Sequence, residues 1–92
     1  MQAKTLPLSS IKNIQFTKLL KAQGSLKEFN FRKTAVDGKI IFNVDVTDER
    51  GNRIIFAMEK QNDNWKIQPS QLPSWITEGE KQLDQLIAEE WR

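Results

Sequence analysis

Residues 29–46 read FNFRKTAVDGKIIFNVDV, two alternating apolar runs on either side of one turn. Asp37-Gly38 is the turn. A type I′ hairpin needs positive φ at both central positions, and Asp-Gly accepts that conformation readily. A two-residue loop there pairs Val36 with Lys39. Counting outward sets Phe31 opposite Val44 and Phe29 opposite Val46, so apolar side chains meet across the strands. On the second strand Ile40, Phe42, Val44 and Val46 share that face, while Ile41, Asn43, Asp45 and Thr47 take the other.

The same register extends toward the C-terminus. Residues 48–52 (Asp48-Glu49-Arg50-Gly51-Asn52) form a polar loop with a glycine turn residue. A five-residue loop pairs Val46 with Ile54 and Val44 with Phe56, which continues the apolar face into a strand over 53–60. A two-residue turn at Asn62-Asp63 then sets Met58 opposite Ile67 and Lys60 opposite Trp65. Three separately chosen turns thus keep one face apolar, and local patterns that agree in this way specify a fold. The expectation is a four-stranded antiparallel meander over about 26–67, with a cover on its apolar face.

Helices are expected at both ends. Residues 1–8 hold Pro7 and no clear period. Ser9-Ser10 offers N-caps, Gly24 suits a C′ position, and Phe16, Leu19, Leu20 and Gln23 form a stripe, so a helix is expected over about 10–23. The segment Ile14-Gln15-Phe16, taken alone, also fits a strand. Beyond the linker at 68–73, a second helix is expected over about 75–91. Its cap is Ser74 or a Thr77–Glu80 capping box, its apolar stripe is Leu83, Leu86 and Ile87, and Trp91 falls off the stripe. The class is α+β, in a single domain over 1–92.

The order helix, strand, Asp-Gly turn, strand, loop, strand, turn, Trp-containing strand resembles cystatin-like and nuclear-transport-factor-2-like folds. The ending Gly51-Asn52-Arg53-Ile54-Ile55-Phe56-Ala57-Met58-Glu59-Lys60 with Asn64-Trp65-Lys66-Ile67 looks like the last two strands of small bacterial members. The resemblance spans about residues 9–68. It implies a curved antiparallel sheet wrapping a helix, in a ligand-binding domain, a dimerising adaptor or, less often, an enzyme. The chain departs from both patterns: it is short for the second, and it adds a C-terminal helix that the first lacks. Thr34-Ala35-Val36-Asp37-Gly38 partly matches the inhibitory hairpin of cystatins, with Thr34 where that pattern has Gln. An Asp-Gly turn needs no inhibitory purpose.

Composition narrows the chemistry. The chain has 92 residues, 38% of them hydrophobic and 28% charged, with neither cysteine nor histidine. Ser-His-Asp and Cys-His nucleophiles, the common zinc sites and disulfides are therefore excluded. Carboxylates are the only possible acid–base pair, and Asp45, Asp48 and Glu49 cluster near one hairpin. They lie in or beside an exposed turn, whereas catalytic pairs occupy clefts. Neither a catalytic centre nor a cofactor nor a metal ligand set is expected. No apolar run reaches the roughly 20 residues of a membrane span. A soluble chain is expected, cytoplasmic or extracytoplasmic after loss of a signal peptide.

Charge is uneven. Residues 1–36 carry seven bases against Glu28, a net +6, which leaves −4 for residues 37–92 within a total of +2. The candidate basic patch is Lys18, Lys21, Lys27, Arg32 and Lys33, suited to nucleic acid or an acidic partner. A solvated face and lysines guarding a strand edge account for the same charges. The second sheet face holds Ile41, Ile55 and Ala57, less polar than a solvated face. With Trp91 these are the candidate interaction residues. The expected role is a non-catalytic binding or assembly module, through a protein partner or self-association on that second face. The alternatives are the basic first third as a nucleic-acid or acidic-partner binder, and a small-ligand pocket between sheet and helix.

Overall fold

The computed structural model describes residues 14–91. The chain forms β1 (Gln15–Ala22), β2 (Ser25–Val36), β3 (Lys39–Thr47), β4 (Arg53–Gln61) and β5 (Asn64–Ile67), followed by a single turn of helix, α1 (Ser74–Thr77), and α2 (Glu80–Glu90). The five strands make one antiparallel sheet in sequence order, β1-β2-β3-β4-β5. The sheet is curled into a half-barrel, and the helices lie against its inner face. The architecture is α+β, as expected; among the described residues a fifth strand stands where the N-terminal helix was expected, and the C-terminal helix is divided in two.

The missing helix is the correction at the N-terminal end. Residues 15–22 of the expected helix over 10–23 are strand β1, paired with β2 from Gln15↔Arg32 to Ala22↔Ser25. Residues 10–13, with the Ser9-Ser10 caps and the lead-in over 1–8, lie outside the described residues. Phe16 and Leu20, four apart, fit a helical stripe and a strand face equally well. The turn decides between them. Gln23 and Gly24 both have positive φ, +55° and +78°, the conformation of a type I′ hairpin and not of a helix end. Asp37-Gly38 repeats it at +51° and +79°, and Asn62-Asp63 at +51° and +72°.

The rest of the register holds. Phe31↔Val44 and Val36↔Lys39 are partners across β2 and β3. Val44↔Phe56 and Val46↔Ile54 pair β3 with β4. Met58↔Ile67 and Lys60↔Trp65 pair β4 with β5. The inner face buries Phe29, Phe31, Phe42, Val44, Val46, Phe56, Met58 and Trp65 against Ile76, Leu83 and Ile87. Phe16 of β1 stacks on Phe31 at 4.7 Å, and Phe42 meets Trp65 edge-on at 5.0 Å.

The C-terminal helix is also corrected, from one helix over 75–91 to a turn and a helix broken at Glu78-Gly79. Neither expected cap forms. Pro73 and Gly79 occupy the N-cap positions, and neither makes a side-chain cap bond. Thr77 Oγ1 donates to the Ser74 carbonyl instead, and Glu80 reaches the sheet. Trp91 ends the helix in extended conformation, φ −125° and ψ 105°, which takes it off the helical stripe.

Candidate functional site

The two edges of the sheet differ. Strand β5 is closed by acids of α2. The Trp65 N–H donates to Asp84 Oδ1 at 2.8 Å, and the Ile67 N–H to Glu80 Oε2 at 2.8 Å. The Asn64 side-chain amide donates to Asp84 Oδ2 at 3.0 Å. Glu80 and Asp84 stand one helical turn apart on the same face, so they match alternate N–H groups along the strand. An edge with its donors occupied cannot template another strand.

Strand β1 is the opposite case. In a two-residue hairpin the closing pair, here Ala22↔Ser25, exchanges both backbone bonds, and bonded pairs then recur every second residue. That parity bonds residues 20, 18 and 16 to β2. The Lys33 N–H donating to the Ile14 carbonyl at 2.9 Å has the same parity. Gln15, Thr17, Leu19 and Lys21 therefore aim their N–H and C=O groups away from the sheet. All four are exposed, and among the described residues no strand lies beside them.

The outer face next to this edge carries a polar chain across four strands. Thr17 Oγ1 donates to Asn30 Oδ1 at 2.6 Å, Asn30 Nδ2 donates to Asp45 Oδ1 at 3.0 Å, and the Arg53 guanidinium meets Asp45 Oδ2 at 3.1 Å. Burial pushes the Asp45 carboxyl up, but the hydrogen bonds from Asn30 and Arg53 and the charges of Arg53 and Arg32 outweigh it and hold it below the usual carboxylate range. An open cleft of about 600 Å³ runs over this chain, lined by Gln15, Thr17, Asn30, Arg32, Asp45 and Arg53 among others. Arg32 forms no ion pair among the described residues.

The candidate residues divide between the two faces. Lys18, Lys27 and Lys33 point to the helix side. Lys18 Nζ binds Glu90 at 2.7 Å. Lys27 is only 7% exposed, 3.7 Å from Glu49 and over the Trp75 ring. Lys33 lies 4.4 Å over the Trp91 ring. Lys21 and Arg32 are on the outer face, so the five cations do not form one patch. Trp91 is half-buried and packs on the core. Ile41 and Ala57 are half-buried on the outer face, and Ile55 is 61% exposed there. Among the described residues no helix covers them, and Asn43, Asp45 and Glu59 lie opposite them in the register.

The other two carboxylates of the hairpin cluster have partners, Glu49 standing 3.7 Å from Lys27. Asp48 Oδ1 accepts the Arg50 and Asn52 N–H groups at 2.9 and 2.8 Å. These bonds, the one from Asn52 above all, hold its carboxyl below the ordinary value. Among the described residues no group of three histidine, cysteine or acidic side chains could hold a metal, and no helix is long and apolar enough to cross a membrane. The closed and open edges were not read from the sequence. The i, i+4 spacing of Glu80 and Asp84 fits acids near a helix N-terminus equally well, so it does not by itself point to the strand edge. Comparison with protein-family models, curated proteins and solved structures finds no match to the chain.

Proposed function

We propose that the chain is a non-catalytic binding module that accepts an extended, acidic segment of a partner protein along the outer edge of β1. Strand addition of this kind uses backbone hydrogen bonds for affinity and alternate side chains for choice. The carrying observation is the contrast between the edges: Glu80 and Asp84 occupy the donors of β5, while Gln15, Thr17, Leu19 and Lys21 offer theirs outward. Charge selects the occupant. Residues 15–36 hold five bases and one acid. Of these bases Lys21 and Arg32 lie on the outer face without an ion pair among the described residues, and an acidic strand complements them.

Leu19→Pro is the discriminating variant. The Leu19 N–H points away from β2, and proline is tolerated on an edge strand where its missing donor faced solvent. The variant is expected to keep the fold, by circular dichroism, and to lose capture of acidic extended peptides. Unchanged capture overturns the reading.

Self-association through the second face, which also carries Ile41, is a second reading, supported by the exposure of Ile55 two residues from Ala57 on that face. Light scattering across a concentration series tests it, with Ile55→Glu expected to abolish any dimer. A monomer at every concentration removes it.

A further inference from the structure

Building on the edge reading above, we propose that Arg32 selects an aspartate or glutamate at one position of the added strand, the one beside Gln15. Arg32 stands opposite Gln15 in the register, with its side chain on the outer face. A strand added to β1 lies about 4.8 Å from it, hence about 9.6 Å from β2. An extended arginine and an extended acidic side chain together close that gap over the neutral Gln15. Nothing described competes for the guanidinium. Asp45, whose carboxyl feels the Arg32 charge, already has Oδ1 filled by Asn30 and Oδ2 by Arg53.

The surrounding geometry favours a carboxylate. Two guanidinium groups, Arg32 and Arg53, border the cleft against the single carboxylate of Asp45, leaving one positive charge uncompensated. The cleft is open and about 600 Å³ in volume, so the incoming group needs no rearrangement of the sheet. Guanidinium binds carboxylate through two parallel N–H bonds, which fixes position as well as charge. Only alternate residues of an added strand face this side. The selection therefore applies to one parity of the partner sequence, and within that parity to one place.

The probe is a set of end-capped octapeptides alternating threonine and valine, each with one glutamate at a different position, beside matched glutamine peptides. Binding to the full chain is read by anisotropy of a labelled peptide. One glutamate position is expected to bind about tenfold tighter than its glutamine match, with no preference at the adjacent position. Arg32→Gln, at an exposed site, is expected to abolish the preference and leave the glutamine peptide unchanged. Binding without any glutamate preference, or a preference that survives Arg32→Gln, overturns the role of Arg32 and leaves the edge reading standing. No binding by any peptide, with unchanged amide exchange over Gln15–Lys21, overturns both. Binding of a single-stranded oligonucleotide that Arg32→Gln abolishes, without peptide binding, assigns the guanidinium to phosphate and likewise overturns both.

Discussion

The backbone N–H of Trp65 and the carboxylate of Asp84, nineteen residues apart, share a 2.8 Å hydrogen bond that joins the last strand to the C-terminal helix. The second oxygen of Asp84 takes the Asn64 amide. One side chain thus closes the edge and docks the helix. Asp84→Ala is expected to lower stability by about 1–3 kcal/mol, since the partly buried Trp65 donor loses its partner. Urea unfolding measures this. The same variant opens a second edge, so it is also expected to associate at high concentration, seen by light scattering.

Gln23 holds φ at +55°, a conformation that an unbranched polar side chain adopts at some cost. Asparagine tolerates it better, as hairpin turns show. Gln23→Asn is expected to stabilise the fold by about 0.5 kcal/mol, and Gln23→Pro to disrupt the β1–β2 hairpin. Thermal unfolding of the two variants gives both signs in one experiment.

Phe42 is fully buried and touches both Phe16 and Trp65 ring to ring, at 5.9 and 5.0 Å. Phe42→Ala is expected to cost about 3–5 kcal/mol, a large share of the stability of a domain this size. Loss of a cooperative urea transition, followed by tryptophan emission, is the readout.

Asp45 and Asp48 both have folded-state pKa values below the ordinary 3.8. A depressed carboxyl favours the folded chain when ionised, so its contribution is full at neutral pH. It begins to fall as pH drops through about 3.8 and is gone below the folded values. Lys18 is raised above 10.5 by its hydrogen bond to Glu90. Its contribution is full below 10.5 and is lost as pH rises through the folded value. Stability measured against pH should be flat near neutrality and fall at both extremes. Asp45→Asn should shrink the acid-side fall, and an unchanged acid limb would refute the assignment.

The meander was legible because its turns carry their own chemistry. Asp37-Gly38 names a type I′ turn, and the alternation from Phe29 to Val46 leaves one register that buries the phenylalanines. Strand β1 was not legible for two reasons. Phe16 and Leu20 satisfy both periods, and Gln23 is not a residue that announces positive φ. With β1 unplaced, the polar chain from Thr17 to Asn30 had no partner strand, so neither the cleft nor the open edge could be seen. The alternation that buries Phe29 and Phe31 also sets Lys27 and Lys33 on the inner face, but Lys18 follows only once β1 is a strand, and the partners of all three, Trp75, Trp91 and Glu90, are contacts that cross most of the chain.

Those contacts make the sheet a ruler for the helix. Lys27 and Lys33 lie on one strand, six residues and about 20 Å apart, and each holds a tryptophan at one end of the segment that covers the core. Between the tryptophans, α2 rises about 1.5 Å and rotates about 100° per residue. Adding or deleting one residue within it would carry Trp91 out of reach of Lys33 while Trp75 stayed in place. The length of the last helix is therefore set by a strand that precedes it in the chain by about fifty residues.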